Sequence, residues 1–221
     1  MAENDVVTRS VAEGREEYWE HWYARRSSAG QARPVPSQFA AFVVGELDGP
    51  HDIVELGCGG GRDSLFFASY GHRVVGVDAS AAAVSSCEQL ADGFGVDARF
   101  VHAAVDDPGL PDRVGAPQHP RAVYARFFVH AITDEEEERF LDLAARLTTS
   151  GDLLAVEYRT IRDRSGEKET GAHYRRFVLP ARFQSRALER GFDVEYDVEG
   201  FGFAKYRHDD AYVARTIFRR R

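Results

Sequence analysis

Apolar residues recur at helical spacing near the start of the chain, and from about residue 52 onward they gather into short runs separated by helical segments. From Val11 to Arg26 charged and aromatic residues alternate so that Tyr18, Trp22 and Arg26 share one stripe with Trp19 and Tyr23 beside it, which predicts an amphipathic helix. The stretch from Ser27 to Pro36, rich in Ser, Gly and Pro, reads as a connector. Ser37 can then cap a helix running to about Leu47, which Asp48-Gly49-Pro50 stops.

Five short apolar runs follow, at Asp52–Leu56, Arg73–Asp78, Arg99–Ala103, Ala122–Phe127 and Leu153–Tyr158. The segments between them carry helical spacing at about Asp63–Tyr70, Ala81–Ala91 and Asp134–Thr148. Parallel strands need crossovers, and helices of this length supply them. Thr133 and Glu136 form a capping box for the last helix, whose acidic first turn suits the positive end of the helix dipole, so its run of glutamates reads as a solvated helix start rather than a metal site. A polar segment from Thr160 to Gly171 breaks the rhythm. A helix from about Pro180 to Arg190 then stops at Gly191, and two final strands fit Phe192–Val198 and Tyr212–Arg219, joined by the aromatic and basic connector Phe201 to Asp210. The expected fold is α/β, a Rossmann-like seven-stranded mixed sheet. Residues 51–221 form its one domain, and residues 1–50 an N-terminal helical cap.

Composition narrows the function classes. At 221 residues with 43% hydrophobic and 12% aromatic residues the chain can bury one sizeable core, and a second independent domain is not expected. A formal net charge of −8 argues against general attraction to phosphate backbones, so no nucleic-acid partner is expected. No apolar run reaches the length of a membrane span and the first residues do not read as a leader, which makes the cytoplasm the default and a membrane partner unexpected. Cys58 and Cys87 are too few for a disulfide framework and read as small buried thiols. No metal-ligand cluster is visible. The chain is expected to work as a monomer or homodimer.

The chemistry concentrates where the first strand ends. Gly57-Cys58-Gly59-Gly60-Gly61 passes straight into a helix, and glycines there let a backbone approach a ligand closely. Arg62 stands where a dinucleotide fingerprint wants its third glycine, which disfavours NAD.

Together, Glu55-Leu56-Gly57-Cys58-Gly59-Gly60-Gly61 after strand one and Gly76-Val77-Asp78-Ala79-Ser80 after strand two resemble the class I S-adenosylmethionine (SAM)-dependent methyltransferases, whose order of elements also matches. The resemblance runs from about Ile53 to the C-terminus and is strongest between Ile53 and Ser80. It implies that the cofactor is SAM and the product S-adenosylhomocysteine (SAH). Carried over residue by residue, it places Glu55, Gly57, Cys58, Gly59, Gly61 and Asp63 around the methionine end. Asp78, with Ala79 and Ser80, falls at the ribose hydroxyls, where a carboxylate accepts two charge-assisted hydrogen bonds; the plainer role for Asp78 is a helix cap. The family's acid at the adenine falls on Ala104 or Val105 here, with Asp106 just beyond. After strand four the resemblance implicates Arg126, Phe127 and His130. Arg126 suits the carboxylate of the methionine tail or of an acidic acceptor, and His130 is either a general base or a packing histidine. Ala125-Arg126-Phe127-Phe128 lacks the Asn/Asp-Pro-Pro-aromatic element of base methylases.

The region after strand five is a usual acceptor site in the family. Here it offers Glu157, Tyr158 and Arg159, then His173, Tyr174, Arg175 and Arg176, with Lys205 and Tyr206 in the last connector. Arginine forks near aromatics suggest a small anionic acceptor, against the plainer reading of a solvated basic turn. Tyr18, Trp22, Tyr23 and Arg26 either fold over the cofactor and acceptor as a lid or simply pack against the sheet. The expected reaction is methylation of an oxygen on a small acidic acceptor in natural-product or glycan tailoring. A nitrogen or sulfur acceptor, or a SAM-binding regulatory protein without transfer activity, are the alternatives.

Overall fold

The computed structural model describes residues 14–25, 34–164, 174–206 and 208–221. Arg26 and His173, most of the Ser27–Pro36 connector and most of the polar segment from Thr160 to Gly171 lie outside the described residues.

Residues 14–24 form helix α1 and Gln38–Gly45 helix α2. Then come β1 (Asp52–Leu56), α3 (Arg62–Ser69), β2 (Arg73–Asp78), α4 (Ala81–Phe94) and β3 (Ala98–His102). Next are α5 (Leu110–Val114), β4 (Arg121–Arg126), α6 (Asp134–Leu147) and β5 (Leu153–Arg159), and last α7 (Pro180–Glu189), β6 (Phe192–Gly200) and β7 (Val213–Arg220). The strands form one seven-stranded sheet in the order β3-β2-β1-β4-β5-β7-β6. The first five run parallel, while β7 is antiparallel to both of its neighbours, so the sheet is mixed as expected. β1 sends its crossover one way to β2, and β4 pairs on its other side. At such a switch point the loops leaving the strands diverge and open a crevice beyond their carboxyl ends.

Side-chain alternation along the strands divides the core. Val54, Leu56, Val123, Ala125 and Val156 face one side, against Phe140, Leu141 and Ala144 of α6 and Phe183 of α7. Ile53, Ala122, Tyr124 and Ala155 face the other, against Phe39 and Val43 of α2 and Phe67 of α3. Leu65 with Val84, Cys87 and Leu90 of α4 extends that second layer beside Phe100.

The differences from expectation are local. The short α5 is missed because Gly109, Pro111 and Gly115 read as loop punctuation. Phe127 falls outside β4, with φ of 56°. The capping box of Thr133 and Glu136 is present, yet the acidic turn behind it is not solvated. Glu137 is only 1% exposed and is held by Arg176 and Arg186, while Glu138 takes Arg186 and Arg190. The charges of α6 fasten it to α7 and to the segment before α7. Among the described residues no helix is long and apolar enough to cross a membrane, and no group of three or more His, Cys, Asp or Glu side chains is placed to hold a metal ion.

Candidate active site

Three glycines shape the loop after β1. Gly57, Gly59 and Gly61 have φ of 74°, 53° and 69°, values that side chains oppose. The amides of Gly57 and Cys58 both donate to the Val77 carbonyl, at 2.8 and 3.0 Å, which binds the loop to the end of β2. A Cβ on Gly57 would run into the Phe128 ring, and one on Gly59 into the Tyr23 hydroxyl. The Asp78 carboxylate closes the fold of the loop by accepting from Gly59 N at 2.8 Å and from Ser80 N at 2.9 Å. Ser80 caps α4 through Ala83 N, so loop, Asp78 and the N-terminus of α4 form one hydrogen-bonded unit.

Acids lie beneath the loop. Asp63, in the first turn of α3, accepts from Ser37 N (2.8 Å), Ser37 Oγ (2.7 Å) and Tyr124 Oη (2.8 Å). Ser37 also caps α2, so one serine pins that helix to the floor of the site. Glu55 accepts from the Ser64 hydroxyl. Burial, and then the Asp63 carboxylate beside it, push the Glu55 carboxyl well above the ordinary carboxylate range. A raised acid holds a proton in the folded chain that the unfolded chain has already lost. Stability therefore falls as pH rises beyond the unfolded glutamate value of about 4.3. Glu55→Gln, which keeps the shape without the ionisation, is expected to flatten the decline of Tm with rising pH in the ligand-free protein; a slope equal to that of the wild type would contradict this.

The loop, Asp78, the residues Ala103, Ala104 and Val105 after β3, and the segment after β4 enclose a cavity of about 320 Å³. Helix α1 covers it with Arg15, Glu16, Trp19 and Tyr23, four residues on one helical face. Among the described residues two polar fastenings hold the helix there. Arg15 makes a bidentate pair with Glu136 at 2.6 and 2.7 Å, and Glu20 accepts from Ser80 Oγ at 2.6 Å and from Ala82 N at 3.2 Å. The expected lid residues are corrected accordingly. Tyr23 lines the cavity, but Trp22 does not; it packs on Tyr18 one stripe away, with ring centroids 6.2 Å apart. The covering stripe runs through Arg15, Trp19 and Tyr23 rather than through Tyr18 and Trp22. Asp106 stands outside the cavity in an exposed pair with Arg139 at 2.9 Å, leaving an apolar wall where it was expected.

On the sheet side, register builds a row of charge. Glu55 of β1 lies opposite Tyr124 of β4, so two residues further on β4 delivers Arg126 beside Gly57. Arg126 lies opposite Glu157 of β5, and Glu157 opposite Arg215 of β7. Glu157, fully buried, meets Arg126 Nε at 2.8 Å and Arg215 Nε at 2.7 Å. It is therefore the buried counter-charge of two arginines and not an acceptor contact. The Arg126 guanidinium carbon stands 4.2 Å from the centre of the Phe127 ring, and that of Arg159 5.3 Å from it. Phe127 is the one non-glycine residue with positive φ among the described residues, and it lines the cavity together with Arg126.

Other expected acceptor contacts are taken up by the fold. Tyr158 points the opposite way from its neighbours on β5, into the core against Phe183. Arg159 is buried between Asp163 (2.6 Å) and Asp209 (2.5 Å). Arg176 binds Asp134 and Glu137. Lys205 and Tyr206 are exposed, and Tyr206 pairs its backbone with Asp209 in a turn away from the cavity. His130 is buried with its Nδ1 accepting the Arg159 amide at 3.2 Å and does not line the cavity, so its lone pair holds backbone in place instead of acting as a base. Tyr174 meets α1, its ring 6.0 Å from the Arg15 guanidinium. Arg175 is half-buried beside Arg159 and Tyr18, and burial together with the Arg159 charge pulls its pKa below the ordinary arginine value.

Residues 53–151, which span the loop, Asp78 and the end of β4, match the methyltransferase-domain family. The chain carries a methyltransferase domain on a sheet of the class I methyltransferase architecture. No protein of curated function is a detectable sequence relative. Solved structures share the fold at low identity. One, solved for the conversion of a disulfide bond into a thioacetal group during echinomycin biosynthesis, has a TM-score of 0.70 at 19% identity, covering 93% of this chain and 92% of that one. The [4+2]-cyclase SpnF reaches 0.65 at 16% identity over 86% and 84%. A magnesium protoporphyrin IX methyltransferase from Synechocystis with bound SAM reaches 0.60 at 19% over 82% and 76%. A cyclase among them makes plain that this likeness fixes the architecture and leaves the acceptor to the site's own residues.

SAM fits the residues present. The Asp78 carboxylate borders the cavity and keeps lone pairs beyond its two backbone bonds for a ribose diol. Ala103, Ala104 and Val105 give an apolar slot for a purine, and Glu55 and Asp63 supply acid near an amino-acid head.

Proposed function

We propose that this methyltransferase moves the methyl group of SAM to an oxygen of a small anionic acceptor, a carboxylate, phosphate or phosphonate. When bound, SAM supplies a methyl on a cationic sulfur, and attack by the acceptor oxygen breaks the S–CH3 bond and leaves SAH. The observation that supports an anionic acceptor is the setting of Arg175, half-buried next to Tyr174, which meets Arg15 of α1, in a cluster with Arg159, Asp163 and Asp209. Arg159 is already paired with Asp163 and Asp209, so this reading assigns the anion's contact to Arg175, whose guanidinium presents a planar fork.

The cavity wall bears acids as well as arginines, Glu16 and Glu136 among them. Among the described residues no histidine or lysine lines the cavity, and His130 is committed to the backbone. An acceptor that arrives already ionised needs no base. The residues then work by holding the two reactants in line and by excluding water under α1, and alignment alone can supply a large part of a rate. Natural-product or glycan tailoring is the class of pathway that this acceptor chemistry suits.

SAH release is the measurement, with carboxylate, phosphate, amine and thiol acceptors of similar size offered in parallel. Turnover is expected on the acids. Arg175→Ala is expected to raise the acceptor KM by roughly tenfold or more, the worth of one charge-assisted contact, with SAH affinity near that of the wild type. Arg176→Ala is expected to cost stability instead, because Asp134 and Glu137 each lose one of their two arginines. Turnover on amines or thiols alone would overturn the anionic acceptor, and SAH binding without turnover on any class would leave a regulatory SAM-binding protein.

A further inference from the structure

We propose that this chain carries a second binding site, at the end of the sheet opposite the glycine loop, where Arg99 and Arg121 take a phosphate group. A cavity of about 230 Å³ lies there, at the amino ends of β1, β2 and β4 and beside the last turn of α5. Strand register builds its charged wall. Asp52 of β1 lies opposite Arg73 of β2 and Arg121 of β4, and Arg99 of β3 lies opposite Val75, so these side chains share one face of the sheet. Aliphatic residues, Val54, Val75 and Val114 among them, complete the wall with the exposed Asp97.

Two of the three arginines have no acid of their own. Arg73 pairs with Asp52 at 2.7 Å, and Asp52 is further taken up by Gln118 N at 2.8 Å and His119 Nδ1 at 2.9 Å. Arg121 is 5% exposed, yet its guanidinium donates only to carbonyls, those of Leu147 at 2.9 Å and Gly115 at 2.7 Å. Its Nε has no hydrogen-bond partner among the described residues. Asp152, just before β5, accepts from the Arg121 amide and from Thr149 instead. Arg99 donates to the Val114 carbonyl at 2.8 Å and forms no ion pair among the described residues. These carbonyls end α5 and α6, and such groups carry only a partial negative charge. Capping two helices therefore explains where the guanidinium groups sit and leaves their charge uncompensated. Burial pulls the pKa of Arg121 below the ordinary arginine value, even with Asp52 and Asp152 near by.

Geometry selects the ligand. Arg99 and Arg121 start from strands three places apart, about 14 Å at ordinary strand spacing, and reach inward to consecutive carbonyls. Two forks that approach one place from opposite sides suit an anion with oxygens on several sides. Phosphate has them, whereas a carboxylate offers a single edge. The aliphatic wall leaves room for an organic group attached to the phosphate. The whole length of β1 separates Asp52 from the glycine loop, so this site and the cavity under α1 can be filled together.

Calorimetry of the full chain with inorganic phosphate, and in parallel with glycerol phosphate, tests the site, with chloride at equal ionic strength as the reference. Each titration is made with and without SAH, and also in Arg175→Ala, because the proposed acceptor position takes anions too. One phosphate site is expected to persist in Arg175→Ala and to be indifferent to SAH. In that background Arg99→Ala, a change at an exposed position, is expected to weaken phosphate binding about tenfold or more, the worth of one charge-assisted contact. Arg121→Lys, which keeps the charge and not the fork, is expected to weaken it as well, and its Tm without phosphate reports the state of the two helix ends. Tighter binding of glycerol phosphate than of inorganic phosphate would name a phosphomonoester as the occupant, and the reverse order the free ion. No binding beyond that of chloride, binding lost altogether in Arg175→Ala, or binding unchanged by Arg99→Ala would each overturn the inference.

Discussion

Asp78→Ala is expected to bind SAH at least about a hundredfold more weakly than the wild type while remaining folded. The size follows from two losses in one substitution. The carboxylate would accept two charge-assisted bonds from a ribose diol, and it also holds the glycine loop through Gly59 N and the start of α4 through Ser80 N. The second loss costs stability of about 1–3 kcal/mol for the two backbone bonds, which a chain of this size survives. Burial raises the Asp78 carboxyl above its ordinary value, so the charged form already carries a penalty that alanine removes, and this offsets part of the structural cost. The same shift gives the pH dependence of binding. As pH falls through that raised value Asp78 takes up a proton, and SAH affinity should fall with it in the wild type and not in Asp78→Asn. Calorimetry across acid and neutral pH reads both effects. An Asp78→Ala affinity within a fewfold of the wild type would remove Asp78 from the ribose and leave it a loop cap.

Glu157→Ala should be the most destabilising single change in the site. It leaves Arg126 and Arg215 side by side at positions 16% and 8% exposed with their shared acid gone. Removing one partner of a buried ion pair costs about 3–5 kcal/mol, and for a chain of this length that lowers Tm by roughly 6–20 °C. The cost comes from the uncompensated charges and not from the lost contact alone. Adding Arg126→Met should therefore recover part of the loss, because only Arg215 then needs an acid. Thermal unfolding of the two single variants and the double variant checks this. A double variant less stable than the sum of the singles, or a Glu157→Ala protein that melts with the wild type, would mean that the row is not electrostatically coupled.

The sheet was largely legible in the chain. β1, β2 and β5 are short apolar runs bounded by Gly or Asp, and such runs have few ways to be buried other than as central strands. Gly57, Gly59 and Gly61 were legible for a related reason, since positive φ at alternate positions leaves little choice of residue. Phe127 was not. Its left-handed backbone goes with a ring set between the guanidinium groups of Arg126 and Arg159, and no turn residue announces it.

The arginines were misread for want of their partners. Arg159 pairs with Asp163 four positions on and with Asp209 fifty positions on, and Arg176 pairs back to Asp134 and Glu137 on α6. Periodicity sees a basic cluster; only the fold brings the acids to it. Tyr158 is different, because strand alternation alone sends it away from the face shared by Glu157 and Arg159.

Among the described residues Arg15 ties helix α1 to α6 and Glu20 ties it to α4, five residues apart and so about 7.5 Å along its axis. A cover attached at both ends has two ways to swing. Were the Glu136 pair alone released, the rim by Tyr174 would be the side freed, with the Ser80 contact still in place. Letting go of Ser80 alone opens the rim over the loop and Asp78. Acceptor and cofactor therefore need not pass through the same doorway, and spent acceptor could leave while the nucleoside end stays sealed.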